Sequence, residues 1–185
     1  SYWTLDAQVK ELVIVAGTTK AVTYTNEWVG YGEIIKITNG GMKEGWQFKV
    51  WTDAAELGIF TTNSNGEIPL GKLNPGTYYV QEIGHATMTT EELSFWSMDT
   101  EIKTLEIAAG ETSSVTINNV QYGELKLAKH TSDGSSVENW RFDITDSNGN
   151  TTTYYTDAQG HISLMLLPGT YKITEVIPAD VMYEP

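Results

Sequence analysis

Pro75-Gly76-Thr77-Tyr78-Tyr79-Val80-Gln81-Glu82 ends on a carboxylate where its own pattern calls for an apolar side chain. Pro-Gly opens the stretch as a turn, and side chains two apart along a strand share a face. A strand that points Tyr78 and Val80 into a core therefore points Glu82 there too. Pro168-Gly169-Thr170-Tyr171-Lys172-Ile173-Thr174-Glu175 repeats the anomaly, with Tyr171, Ile173 and Glu175 on one face. A buried carboxylate is costly unless it is neutral or paired, so both strands raise the question of what Glu82 and Glu175 face.

Outward from these two stretches, the chain repeats itself. Ala16-Gly17-Thr18-Thr19-Lys20-Ala21-Val22-Thr23-Tyr24-Thr25-Asn26 aligns without gaps on Ala109-Gly110-Glu111-Thr112-Ser113-Ser114-Val115-Thr116-Ile117-Asn118-Asn119 at an offset of 93. The same offset carries Ser1-Tyr2-Trp3 onto Ser94-Phe95-Trp96, Gly30 onto Gly123, Lys36 onto Lys129, and Glu82 onto Glu175. A fixed period of this length marks a tandem array of like units. Residues 1–29 read as the last strands of one unit, 30–122 as a complete unit, and 123–185 as the opening two-thirds of another. The two partial pieces together make up almost one unit. Either the chain is one period of a longer array, or the head of one chain completes the tail of the next.

Each unit reads as all-β. Alternation is visible in Gln47-Phe48-Lys49-Val50-Trp51, Arg141-Phe142-Asp143-Ile144 and Val115-Thr116-Ile117. Turn signals separate the runs: Asn39-Gly40-Gly41, Ser64-Asn65-Gly66, Asn74-Pro75-Gly76, Asp133-Gly134, Asn148-Gly149 and Gln159-Gly160. Helical spacing is weak everywhere, Ala54-Ala55-Glu56-Leu57 being the best case. Short strands at roughly ten-residue intervals predict tandem antiparallel β-sandwiches of prealbumin or immunoglobulin type. Val120-Gln121-Tyr122 joins two units without a flexible linker, which predicts end-to-end stacking into a stiff rod.

Composition narrows the function. The formal net charge of −13 argues against nucleic acid or an anionic membrane surface as partner. No apolar run reaches the roughly 18 residues of a membrane span. The absence of an initiator Met, signal peptide or sorting tail reads as a segment of a longer protein. Cysteine is absent, which excludes disulfides and thiolate metal sites, while the richness in Thr, Asn, Gly and Tyr suits an extracellular surface protein. Such a protein needs another staple.

Three polar residues recur on apolar faces. Lys36 shares a face with Ile34, and Lys129 with Leu127; Asn119 follows Val115 and Ile117 as Asn26 follows Val22 and Tyr24. Glu82 and Glu175 complete the set. Singly, a strand-end Lys or Asn is ordinarily solvated and a Glu after such a run is ordinarily a rim residue. A triad duplicated at one offset is not three independent accidents.

With these elements the chain resembles the Cna B-type, prealbumin-like domains of Gram-positive surface adhesins and sortase-assembled pilins. The carriers of the resemblance are Ile34-Ile35-Lys36 and Leu127-Ala128-Lys129 in the first strand, the Gly-x-Tyr-x-x-x-Glu segments Gly76–Glu82 and Gly169–Glu175, and Thr116-Ile117-Asn118-Asn119-Val120 at the domain end. Trp46-x-Phe48 and Trp140-x-Phe142 stand where that family has a smaller apolar-x-Phe pattern. The resemblance implies a spontaneous isopeptide bond between the Lys amine and the Asn carboxamide, with Glu as proton shuttle: Lys36, Glu82 and Asn119 in the central unit. Burial favours this chemistry, because it lowers the pKa of a Lys amine and raises that of a carboxyl. The protonated Glu is expected to hydrogen-bond and polarise the Asn carbonyl. Asn118 competes with Asn119 but points to the opposite face. For the outer set two arrangements stay open. Lys129, with Glu175, bonds an Asn beyond residue 185 while Asn26 bonds a Lys before residue 1, or Lys129 bonds Asn26 of a neighbouring chain.

The implied function is structural: an extracellular, cell-wall-attached pilus shaft or adhesin stalk, with neighbouring repeats or identical subunits as partners, no cofactor and no turnover. The competing reading is an adhesive module for glycan or matrix protein, with Trp28 and Trp51 as its watch residues. Trp3, Trp96, Trp46 and Trp140 recur at core-like positions. Asp146-Ser147-Asn148-Gly149-Asn150 resembles part of a calcium loop without its distal Glu and reads as a turn. His85, His130 and His161 lack ligand spacing and are expected in loops.

Overall fold

The structure is a computed structural model that describes residues 1–177; residues 178–185, at the end of the predicted last segment, lie outside the described residues. Strands in chain order are β1 (Trp3–Thr4), β2 (Glu27–Trp28), β3 (Gly30–Thr38), β4 (Trp46–Trp51), β5 (Glu56–Thr61), β6 (Glu67–Leu73), β7 (Gly76–His85), β8 (Trp96–Ser97), β9 (Lys103–Ile107), β10 (Thr112–Gln121), β11 (Gly123–Ala128), β12 (Arg141–Thr145), β13 (Thr151–Tyr155), β14 (His161–Leu166) and β15 (Lys172–Val176). A single helical turn, α1 (Thr90–Leu93), precedes β8. The chain divides into two compact units: Ser1–Leu93 with Met98–Asn119, and Ser94–Ser97 with Val120 onward. The division falls inside β10, just after Asn119.

In the first unit, β6-β3-β10 form one sheet and β5-β4-β7-β9 the other. Period-two alternation sorts their side chains: β3 and β4 bury every second residue, and β7 buries Tyr78, Val80 and Glu82 in turn. The core between the sheets holds Ile34, Trp46, Phe48, Val50, Val80, Leu105 and Ile117, all at 2% exposure or less. Each such side chain stabilises the fold by about 1.5–3 kcal/mol. Gly30 is where the chain enters β3, and a Cβ there would sit 2.4 Å from the Ala108 carbonyl oxygen, so the backbones meet too closely for any other residue.

The predicted all-antiparallel pairing fails in one place. β3 and β10 run parallel, with Ile117 beside Lys36 and Asn119 beside Thr38. Both strands therefore run toward the same end of the sheet, and Asn119 late in β10 lies two residues along from the position beside Lys36. The weakly helical Ala54–Leu57 is instead the turn into β5. α1, which the sequence reading missed, starts in a capping box: Glu92 N–H donates to Thr89 Oγ1 (3.2 Å), and Thr89 N–H donates to Glu92 Oε2 (2.7 Å).

The second unit is built alike as far as it goes. β11 pairs with β14, and β12 with β13 and β15, over a core that includes Phe142, Ile144 and Ile162. β11 is the counterpart of β3 and β15 that of β7, yet among the described residues β11 has no β10-like neighbour and β15 no β9-like one. The end of β10, Val120–Gln121, pairs with β8. In the first unit, β1 and β2 form a two-residue ladder, and residues 5–26 carry no strand. None of the described helices is long and apolar enough to cross a membrane.

Candidate functional site

Lys36, Glu82 and Asn119 meet in the core of the first unit. β3 and β10, hydrogen-bonded in parallel, carry Lys36 and Asn119 on neighbouring strands two register positions apart, and β7 presents Glu82 from the other sheet. Lys36 Nζ donates to Glu82 Oε2 at 3.0 Å, and Asn119 Nδ2 donates to Glu82 Oε1 at 2.7 Å. One carboxylate thus bridges the amine and the amide. All three residues are buried, at 1%, 2% and 1% exposure. The Lys36 ammonium also lies 4.9 Å from the Trp46 ring and 5.8 Å from that of Phe48, so the large Trp46 of the Trp-x-Phe pair is a wall of this site.

Burial sets the electrostatics. Removal from water lowers the Lys36 pKa to about 8, against the opposing pull of Glu82 and Asp99. The same desolvation pushes Glu82 above its ordinary value, although Lys36 and the Asn119 hydrogen bond hold it back. Both shifts favour the neutral forms, so a proton can pass from Nζ to Oε2 along the hydrogen bond between them.

The carbonyl of Asn119 is held by a group that sequence pattern does not reveal. Asp99 N–H donates to Asn119 Oδ1 at 3.0 Å. The polarisation expected from Glu82 therefore comes from a backbone amide, while Glu82 stands on the amine side, at the atom that would leave. A main-chain N–H has no sequence signature, so no pattern could have found it. Asp99 also forms an ion pair with Lys103 at 3.2 Å, which ties the loop before β9 in place.

The second unit reproduces two of the three partners. Lys129 Nζ and Glu175 Oε1 are 2.8 Å apart, and Lys129 lies 4.1 Å from the Trp140 ring. Their side chains are 17% and 34% exposed, against none for Lys36 and Glu82. Among the described residues no Asn is hydrogen-bonded to Glu175. Asn26 lies in the first unit, where its Oδ1 accepts from Asp6 N–H at 3.2 Å. An open cleft of about 410 Å³ at the Lys129–Glu175 pair is lined by Trp140 and Ile177 among others.

The model of the SpaA prealbumin-like fold domain matches residues 31–121 and again 123–181. The chain belongs to this family. No curated protein matches it. Among solved structures, the Bacillus anthracis TIE protein is similar at 26% identity and a TM-score of 0.49, over 89% of this chain and 32% of that one. A streptococcal ancillary pilin follows at 19% and 0.42, over 93% and 59%. The shaft pilin SpaA of Lactobacillus rhamnosus GG stands at 14% and 0.37, over 82% and 89%. The chain thus spans about a third of the first of these and three-fifths of the second.

As a SpaA-type domain the first unit has a filled core, and the tryptophans that the sequence singled out lie against other rings or in that core. Trp28 stacks on Trp3 (centroids 5.9 Å apart) and Trp51 on Tyr79 (5.7 Å). Trp46 and Trp96 are buried as expected, but Trp3 is half exposed. His85 and His161, expected in loops, are strand residues at the end of β7 and the start of β14. His85 packs its ring edge-on to Trp46 at 5.2 Å and hydrogen-bonds the Glu44 carbonyl oxygen at 2.8 Å. Asp146 Oδ1 accepts from the N–H groups of Asn148 and Asn150, which makes the calcium-like stretch an Asx turn.

Proposed function

We propose that the chain is a structural segment of an extracellular surface fibre, a pilus shaft or adhesin stalk, whose domains are stapled by autocatalytic isopeptide bonds. The observation that carries this reading is the buried contact of Lys36, Glu82 and Asn119, with the Asn119 carbonyl held by Asp99 N–H. Membership of the SpaA family supports the fibre role. Each bond forms once, so the protein is no turnover enzyme.

The chemistry follows from the contacts. Lys36 passes a proton to Glu82, and the neutral amine attacks Asn119 Cγ. Asp99 N–H stabilises the charge that develops on Oδ1. Protonated Glu82 delivers its proton to Nδ2, which leaves as ammonia when the Cγ–Nδ2 bond breaks, and Glu82 takes a proton from Nζ as the new amide forms. Charge is conserved and Glu82 ends neutral, which its buried site favours. Folding supplies the effective concentration that amide exchange in water lacks.

Intact mass with peptide mapping tests the proposal. The folded chain is expected to be lighter by one ammonia, with a branched peptide that joins Lys36 to Asn119. A chain of full mass refutes it, as does a Glu82→Ala protein that still loses the ammonia.

A further inference from the structure

We propose, resting on the isopeptide chemistry assigned above to Lys36, Glu82 and Asn119, that Asp99 and Lys103 act as a positioning pair for that reaction. Their ion pair fixes the loop of residues 98–102 so that Asp99 N–H is aimed at the carbonyl oxygen of Asn119 before the Lys36 amine attacks. Lys103 touches none of the bonds made or broken.

A main-chain donor is only as well placed as the loop that carries it. Residues 98–102 form no strand and lie between β8 and β9. Both flanks are pinned beside the reacting groups. On one side Ser97 pairs with Val120, the residue after Asn119. On the other, Lys103 pairs with Val80, two residues before Glu82 on β7, and Gln81 Nε2 donates to the Thr100 carbonyl at 3.1 Å. The loop thus hangs between the strand that carries the amide and the strand that carries the shuttle. What the ladders leave open is the direction of the peptide plane at Asp99.

The Asp99 carboxylate closes that freedom. Its Oδ1 accepts from Glu101 N–H at 3.4 Å, and its Oδ2 lies 3.2 Å from Lys103 Nζ. Held in this way, the amide of the same residue meets Asn119 Oδ1 at 3.0 Å. Lys103 also reaches Glu101 Oε2 at 2.9 Å, but that side chain is 82% exposed, against 24% for Asp99 and 29% for Lys103. A lone ion pair open to solvent adds little to stability. Its contribution here is direction.

The same contacts recur where no sheet supports them. Residues 5–26 carry no strand, yet Asp6 N–H donates to Asn26 Oδ1 at 3.2 Å, Gln8 N–H donates to Asp6 Oδ1 at 3.3 Å, and Lys10 Nζ pairs with Asp6 Oδ2. At the offset of 93 these residues are the counterparts of Asp99, Asn119, Glu101 and Lys103. Between the two copies Ala7 gives way to Thr100 and Gln8 to Glu101, while the Asp and the Lys are kept. The contact from amide to Asn carbonyl therefore accompanies the Asp–Lys pair even without a ladder on either side. It is a local device and no by-product of sheet packing.

The test follows bond formation and folding in the same sample. Full chain held in urea from synthesis onward, so that no bond has formed, is diluted into buffer, stopped in acid at intervals and weighed for the loss of ammonia. Tryptophan fluorescence reports folding. Lys103→Met and Asp99→Asn are expected to fold at the wild-type rate and to lose ammonia about 10–100-fold more slowly. Lys103→Arg keeps the ion pair and should keep the wild-type rate. The double variant Asp99→Asn with Lys103→Met should be no slower than the slower single one, because both substitutions break one contact. A second readout is the Asp99 amide proton in Lys36→Met, a chain that cannot form the bond: its NMR resonance should move upfield when Lys103→Met is added. Loss of ammonia at the wild-type rate in Lys103→Met overturns the proposal. So does a variant in which folding and ammonia loss slow by the same factor, since that is a structural role alone, and so does slowing that multiplies in the double variant. A wild-type chain that folds and keeps its full mass would instead sink the isopeptide reading, and with it the reaction that the pair serves.

Discussion

Replacing Asn119 with Ala removes the acceptor of the proposed bond while leaving the buried Lys36–Glu82 pair intact, so it isolates what the cross-link contributes. The bond closes a loop of about 80 residues, from β3 to the end of β10. By the chain-entropy model used for disulfides, such a loop stabilises by roughly 4–5 kcal/mol through the unfolded state. Loss of the hydrogen bond from Asp99 N–H adds about 1 kcal/mol. For a domain of this size each kcal/mol is worth about 4–8 °C in melting temperature, so the variant should melt about 20–50 °C lower. The measurement is thermal unfolding of both proteins by near-ultraviolet circular dichroism, beside intact mass to confirm that only the wild type has lost ammonia. If the linked wild type and the unlinked variant melt within about 3 °C of each other, the bond does not stabilise the fold and the stapling argument is refuted.

Bond formation during refolding should follow a bell-shaped pH profile: the reactive pair shares one proton, gained at low pH by Glu82 and lost as Lys36 titrates near pH 8. Stopped samples weighed at each pH give the rate, and one that still rises above pH 9 contradicts the shuttle. In Asn119→Ala, the unfolded Lys36 holds a proton between about 8 and 10.5 that the folded one lacks, so stability should rise with pH across that window. The raised Glu82 works oppositely, making stability fall as pH climbs from 4.5 through its shifted value. With the proposed bond in place Lys36 is an amide in the wild type, so urea titrations of the two proteins should diverge above pH 8. Thr62 Oγ1 accepts from Trp46 N–H at 2.9 Å and donates to the Lys43 carbonyl at 2.7 Å. Thr62→Ala strands a buried N–H at the wall of the site and should cost about 1–3 kcal/mol in denaturant unfolding.

Much of this was legible because burial and period leave marks in sequence. An inward Glu at the end of Gly76–Glu82 violates the apolar pattern, and its recurrence at Glu175 shows the violation to be a position in a repeat. The pairing direction of β3 and β10 left no such mark, since parallel and antiparallel neighbours show the same alternation. Asp99 escaped for a different reason: what it contributes is a main-chain N–H, aimed by the loop's path. Trp46 was placed correctly in the core, but that its ring also walls the Lys36 ammonium depends on distances that spacing does not encode.

The parallel pairing explains why the proposed bond suits a fibre. Lys36 stands near the end of the first strand of its unit, and Asn119 is the last residue before the second unit begins. On that bond, tension arriving through β3 crosses from Lys36 to Asn119 and continues into the next unit. The chain between them, with Trp46, Phe48, Val50 and Val80 in its core, carries none of it. An antiparallel partner with its Asn at the far end of β10 would leave most of β10 in the load path. In the second unit Lys129 and Glu175, 2.8 Å apart, stand at the positions of Lys36 and Glu82.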